Sequence, residues 1–290
     1  MPLTVISIGK FDGIHRGHQK ILKIVKRVSK KKNAKPLLLC FNSHPGLEKV
    51  LTTEDEKRDL CRKRYGIEVE FIDFNKIHHL SPEDFFTKVL LHKMHAIGIV
   101  VSKKFRFGHR RTGTVKTLKK LCKKYNIDLY VVDNLKFRNR VISSSLIKKK
   151  ILSGDIASAN CMLGYEYNFS GRVMPGDKIG RRIGFPTINI KVSQKKLLPK
   201  GVFLSYAAVK NKKYKCLTNI GYKPTIYNNK NKKLFVEAHI PKYRGNLYNK
   251  TVKIFLLKKL RDEVKFESLE ALGNQIKEDI KKLAAVKKLK

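Results

Sequence analysis

Short apolar runs rich in β-branched residues alternate, through the first half of the chain, with longer stretches whose apolar positions recur every three or four residues. TVISIG (4–9), PLLLCF (36–41), IEVEFIDF (67–74), AIGIVVS (96–102) and IDLYVVD (127–133) read as strands. HQKILKIVKRV, SPEDFFTKVLLHKM (81–94) and TVKTLKKLCKKY (114–125) read as helices, with Ser81 as an N-cap and Pro82 at the first helical position. Strands alternating with helices predict a parallel sheet. After about residue 160 the rhythm shortens to FSGRV, GFPTINI, GVFLSYAAVK, YKCLTNIGY, LFVEAHI and TVKIFLL, strands broken by Gly, Pro and Asn, and only SLEALGNQIKEDIKKLAAVKK at the end has a helical period. The expected architecture is a Rossmann-like α/β domain over 1–158, followed over 159–290 by a small antiparallel β-barrel domain with a C-terminal helix.

The length of 290 residues allows two such domains, each with its own core. The N-terminus lacks the basic and apolar regions of a signal peptide, and the apolar runs fall short of the roughly 20 residues a membrane span requires. Five scattered cysteines (Cys40, Cys61, Cys122, Cys161, Cys216) form no metal-ligand spacing, which suits a reducing compartment and argues against a structural zinc. These features predict a cytoplasmic chain with no membrane partner. The formal net charge is +42, but Lys is spread throughout rather than clustered with aromatic residues, so the reading is surface composition and no specific nucleic-acid partner is expected. Such a potential still steers anionic phosphates into clefts, and it makes nonspecific, salt-sensitive RNA association hard to avoid.

GKFDGIHRGH (9–18) packs three glycines, two histidines and an aspartate into ten residues, between the first strand and the first helix. A Gly-rich turn entering a helix offers free backbone N–H groups and the positive end of the helix dipole to an anion. His15 and His18, three residues apart, share a helical face and can address the same phosphate, and Gly17 between them removes a side chain that would block close approach. That arrangement suits nucleotidyl transfer, in which charge on an α-phosphate must be stabilised as pyrophosphate leaves. A zinc pair would more often stand at i, i+4 with a nearby acid.

The stretch resembles the GxFDGxHxGH signature of the prokaryotic bifunctional riboflavin kinase/FMN adenylyltransferase, or FAD synthetase. FNSHP (41–45), LTTEDEK (51–57), FRFGHRRTG (105–113), ISSSLIK (142–148), GDKIGRRIGFPTINI (176–190), TNIGYKPT (218–225), FVEAHI (235–240) and GNLYNKTVKIFLLKKLRDEVKF (245–266) are similar to further motifs of that family, in its order. The resemblance implies a nucleotidyltransferase domain that joins FMN to AMP from ATP, then a barrel that moves the γ-phosphate of ATP to riboflavin. In the first, His15 and His18 would stabilise the reacting phosphate, and Gly9, Phe11, Asp12, Gly13 and Gly17 would shape the nucleotide pocket. Ser144, Ser145 and Lys148 would grip the leaving phosphates, with Phe107 beside the flavin. In the barrel, Glu237 matches the general base, Thr187 and Asn189 the magnesium and ATP-phosphate residues, GDKIGRR with Gly176, Gly180, Arg181 and Arg182 a mobile flap over the phosphates, Gly180, Arg181, Gly184 and Pro186 nucleotide-binding residues, and Arg261 the flavin end.

The first half also departs from the family pattern. Ser43 replaces a proline, Leu146 fills a place often basic, Lys148 replaces Arg, Ser102 and Lys104 stand where Gly and Asp or Asn are usual, and Thr114 stands where Asp is common. Three readings follow: the bifunctional enzyme using riboflavin, FMN, ATP and Mg2+; an enzyme with only the kinase working; and a basic RNA-associated protein on a degenerate nucleotide-binding fold.

Overall fold

The computed structural model describes residues 2–41, 48–210, 212–222 and 234–285, so most of FNSHP and the end of TNIGYKPT lie outside the described residues. The chain divides into two compact units, Met1–Ser144 and Ser145–Lys290.

In the first unit, β1 (Thr4–Ile8), β2 (Lys35–Phe41), β3 (Glu68–Ile72), β4 (Ala96–Ser102) and β5 (Asp128–Val132) form a wholly parallel sheet in the order β3-β2-β1-β4-β5. Alternation along each strand serves two cores. Ile6, Ile8, Leu37, Leu39, Ile99 and Val101 enter one, while Val5, Leu38, Cys40 and Val100 enter the other. The second core is closed by α1 (Arg16–Lys31), whose buried Ile21, Leu22, Val25 and Val28 keep a helical period. Thr53 and Glu56 form a capping box at the start of α2 (Glu54–Tyr65), and Gly66 ends that helix in the left-handed conformation.

Ser81 accepts the Asp84 N–H as the N-cap of α3 (Pro82–Asp84), which runs on as a π-helical segment over Phe85–Lys93. Its buried residues Phe85, Phe86, Val89 and Leu90, continued by Met94 at its C-cap, recur at steps of four and five, in keeping with i→i+5 winding. Thr114 is the N-cap of α4 (Val115–Lys124). Asp and Thr both serve that purpose, so this departure from the family pattern preserves a helix start.

The second unit opens with α5 (Ser144–Leu152), which begins on the last residue of the first unit, and α6 (Ile156–Leu163). Six strands then close an antiparallel barrel: β6 (Asn168–Met174), β7 (Thr187–Val192), β8 (Gly201–Val209), β9 (Lys212–Tyr222), β10 (Leu234–His239) and β11 (Thr251–Arg261). Their order around the barrel is β6-β7-β10-β9-β8-β11, with a short helix α7 (Ile179–Arg182) between β6 and β7. The last helix, α8 (Leu269–Ala284), lays Leu283 against Leu204 and Leu217. It is tied down by Asp279, 1% exposed, whose carboxylate receives Nε and NH2 of Arg261, both at 2.9 Å. Among the described residues no helix is long and apolar enough to cross a membrane.

Removing one partner of a buried ion pair strands the other charge. Asp279→Ala is therefore expected to destabilise the barrel unit by about 3 kcal/mol, seen as an earlier transition in urea denaturation followed by circular dichroism. An unchanged midpoint would show that α8 is held by its apolar contacts alone.

Candidate active sites

The strand order reverses between β1 and β4, and ligands of doubly wound sheets bind at the carboxyl ends of the strands flanking such a switch. The loop leaving β1 there is strained. Gly9, Phe11, Gly13 and Ile14 all have positive φ, at +155°, +45°, +84° and +37°.

Tertiary hydrogen bonds hold this shape. The buried Asp12 carboxylate accepts the N–H groups of Leu51 and Thr52 (2.8 and 3.1 Å), and Thr52 Oγ1 accepts the Gly13 N–H (3.1 Å). Lys57 Nζ, also buried, donates to the Lys10 carbonyl at 2.6 Å, and Ser144 Oγ donates to the Asp12 carbonyl at 2.8 Å. Asp12 is thus an organiser of the loop. Thr52 and Lys57 share that work, and their signal in the sequence was LTTEDEK itself, a motif whose polar residues had no assigned partner.

The loop delivers His15 as the N-cap of α1, its Nδ1 accepting the His18 N–H at 3.4 Å. The two imidazoles stack with centroids 3.5 Å apart and planes 17° from parallel, and Phe11 lies 4.6 Å beyond His18. A Cβ on Gly17 would stand 3.2 Å from the His15 ring, which is why that position suits glycine. Burial lowers the pKa of His15 to about 4. Burial, then the charges of His15 and Lys57, holds His18 well below the usual histidine range. Both rings are therefore neutral near pH 7. With Nδ1 of His15 occupied as an acceptor, its proton resides on Nε2. His18 Nδ1 is buried without a hydrogen-bond partner.

These groups open onto a cleft of about 730 Å³. Gly9, Phe11, Gly17 and both histidines form one wall, Phe41, Phe85, Phe105 and Phe107 an aromatic wall, and Lys104, Arg106, Arg110 and Arg111 a basic rim. Phe107 stacks on Phe105 with centroids 5.6 Å apart. Ser144 lines the cleft, and Ser145 and Lys148 belong to the second unit.

In the barrel, cross-strand register assembles the second group of residues. Asn189 of β7 stands opposite Glu237 of β10, which stands opposite Asn219 of β9, so the three share one face. Thr187 pairs with His239, whose Nδ1 lies 2.8 Å from the Pro186 carbonyl and whose ring meets Phe185 edge-on. Gly176 backs directly onto the Asn189 amide, which fills the place a Cβ would take. Thr187, Pro186 and Arg181 line a pocket of about 460 Å³ with Tyr243 and Asn246. Gly184, with φ +84°, turns the chain between α7 and β7. Arg261, expected at the flavin end, has its guanidinium committed to Asp279 and lies 5.7 Å from the Phe266 ring. Among the described residues no group of three or more His, Cys, Asp or Glu side chains could hold a metal. Oxygen ligation by Thr187 and Asn189 is compatible with that, because magnesium keeps several waters and takes few protein ligands.

A parallel sheet with a glycine- and histidine-bearing loop at its switch point, in a chain that also carries a six-stranded barrel, defines a nucleotidyltransferase fold and a flavokinase-type barrel in one protein. The FAD synthetase family model matches residues 2–146 and the riboflavin kinase family model residues 163–287. The bifunctional riboflavin kinase/FMN adenylyltransferase of Buchnera aphidicola subsp. Schizaphis graminum is 35% identical over 96% of this chain and 92% of its own. That of Bacillus subtilis is 33% identical over 95% and 90%. A crystal structure described as a macrolide-efflux protein from Streptococcus pneumoniae covers 99% of the chain at a TM-score of 0.88 and 26% identity. The chain belongs to the bifunctional riboflavin kinase/FMN adenylyltransferase family.

The depressed pKa of His15 makes a pH prediction with a definite sign. Above pH 6.5 the ring is neutral in both states; between 6.5 and about 4 only the unfolded chain takes up the proton, so stability falls as pH falls through that window and the effect levels off below it. His15→Asn keeps an N-cap and removes the titration. On going from pH 7 to pH 4 the wild type is expected to lose about 3 kcal/mol more than the variant in urea unfolding of the first unit. Parallel stability curves would contradict the assignment.

Proposed function

We infer that this chain makes FMN from riboflavin in its barrel unit and FAD from FMN in its parallel-sheet unit, with ATP as co-substrate of both steps. The observation that carries the reading is the stacked, neutral His15–His18 pair at the N-terminus of α1, because it equips the step that separates a bifunctional enzyme from a kinase alone. The kinase-only reading is not favoured. The FAD synthetase model spans the first unit, Thr114 keeps a structural role, and Lys104 stands exposed at the basic rim of the cleft.

In FAD formation a phosphate oxygen of FMN attacks the α-phosphorus of ATP and pyrophosphate leaves. Negative charge grows on the α-phosphate oxygens, where the Nε2–H of His15, the His18 ring and the first N–H groups of α1 stabilise it without a proton having to be transferred. An anion bound beside neutral imidazoles also raises their pKa values, so both histidines become better donors once ATP is seated. Phe105 and Phe107 offer a surface for stacking an isoalloxazine ring, and Ser144, which lines the same cleft, offers a hydroxyl to the departing phosphates.

In FMN formation Glu237 accepts the proton of the ribityl 5′-hydroxyl as its oxygen attacks the γ-phosphorus and ADP leaves. Thr187 and Asn189 would hold Mg2+, which when bound offsets the charge of the ATP phosphates. His239, hydrogen-bonded to Pro186 O, fixes the turn that presents Thr187, and Arg181 with Gly180 and Gly184 covers the nucleotide.

The two chemistries should separate by mutation. His18→Ala is expected to slow FMN-to-FAD conversion by about 10²- to 10³-fold while leaving riboflavin phosphorylation unchanged. Glu237→Gln should do the reverse, by about 10²- to 10⁴-fold. Each is read by chromatographic separation of the flavins with the appropriate starting flavin, and loss of both activities in either variant would contradict two independent sites.

A further inference from the structure

We propose that Asn219 is a substrate-recognition residue, its amide oxygen accepting a hydrogen bond from the secondary ribityl hydroxyl adjacent to the one that is phosphorylated; the proposal rests on reading the barrel as the kinase.

Asn219 lies on the face of β9 that carries Leu217, the face on which Leu283 of α8 packs. On the same face the Glu263 carboxylate occupies the place where Gly221 would carry a Cβ. Asn219 Oδ1 is itself buried with no hydrogen-bond partner. Buried polar groups of folded proteins are nearly always paired. In the same barrel Ser205 Oγ meets Thr218 Oγ1 at 2.6 Å and donates to the Cys216 carbonyl at 2.9 Å, and the Tyr206 hydroxyl is the other described side-chain group there that is buried without a partner. A desolvated acceptor next to the residue assigned as catalytic base is therefore held in place for a donor that arrives with the substrate.

The chemistry of that donor is constrained. An amide oxygen only accepts, and phosphate oxygens carry no proton to give it at neutral pH, so the nucleotide phosphates are excluded as partners. A polyol qualifies. Glu237 and Asn219 stand directly opposite on adjacent antiparallel strands, with Cβ atoms roughly 5 Å apart. A chain that presents its terminal hydroxyl to Glu237 brings the neighbouring hydroxyl within reach of the next strand. Recognition by a buried polar group discriminates strongly, because an analogue lacking the hydroxyl leaves the acceptor unpaired again.

The test measures KM and kcat for riboflavin phosphorylation by the full chain at saturating ATP and magnesium. It uses wild type, Asn219→Ala and Asn219→Ser, with riboflavin and with 4′-deoxyriboflavin. Asn219→Ala should raise the riboflavin KM about ten-fold or more with kcat nearly unchanged, and Asn219→Ser should restore part of the affinity. Wild type should bind the deoxy analogue as poorly as Asn219→Ala binds riboflavin, and the alanine change should add nothing to the analogue's KM. The wild-type comparison of the two flavins needs no variant to fold, and FMN-to-FAD conversion by the same preparations is an internal standard. Equal KM values for the two flavins on wild type, an equal rise for both in Asn219→Ala, or a raised magnesium requirement with an unchanged riboflavin KM would each overturn the proposal while leaving the kinase reading intact. No phosphorylation of riboflavin by wild type would overturn that reading and the proposal with it.

Discussion

One buried carboxylate governs the first half of this molecule. Asp12 accepts two backbone N–H groups from the Leu51–Thr52 segment, and through them a loop with four positive-φ residues keeps a conformation it would not hold alone. The consequences run outward in order. The loop fixes the entry of α1, the entry makes His15 an N-cap, and the cap bond sets both the tautomer of His15 and the position of His18 above it. Burial then keeps both rings neutral, so that the positive end of the helix is extended by donors rather than by fixed charges. Such a site is pre-organised for charge that appears only during reaction.

The barrel reaches the same end by different means. No strained loop gathers its residues; the register of three strands does. Asn189, Glu237 and Asn219 come from β7, β10 and β9, and a one-residue slip in any of these pairings would turn its member to the other face. The Pro186 carbonyl bonded to His239 and the Asn189 amide packed on Gly176 hold the start of β7 in place. The pocket beside them takes Thr187 from β7, Arg181 from α7, and Tyr243, Asn246 and Tyr248 from the loop between β10 and β11.

Much of this was legible in the chain because local signals and tertiary structure agree. The five strands and three helices read before residue 140 lie where the apolar periods put them, whereas α2 (Glu54–Tyr65), mostly charged, was not read, and GKFDGIHRGH fell at the turn after the first strand as its composition required. What could not be read has physical causes. The π-helical winding of Phe85–Lys93 passes for an ordinary helix unless the four- and five-residue steps of its buried side are noticed. The helices α5 and α6, rich in Ser, Lys and small residues, show little apolar period and were not anticipated. Lys57 stands out in the sequence only as a member of the LTTEDEK motif, and the fold alone reveals it buried on the Lys10 carbonyl. Pairings between distant strands, including the one that brings Asn219 to Glu237, leave no local trace at all.

The central claim is that both chemistries reside in this single chain, and a time course with riboflavin, ATP and magnesium tests it most directly. Purified protein should first accumulate FMN and then convert it to FAD, with one pyrophosphate released for each FAD formed. FMN that rises to a plateau without FAD would contradict the role given to the His15–His18 pair, and riboflavin left unphosphorylated would contradict the role given to Glu237.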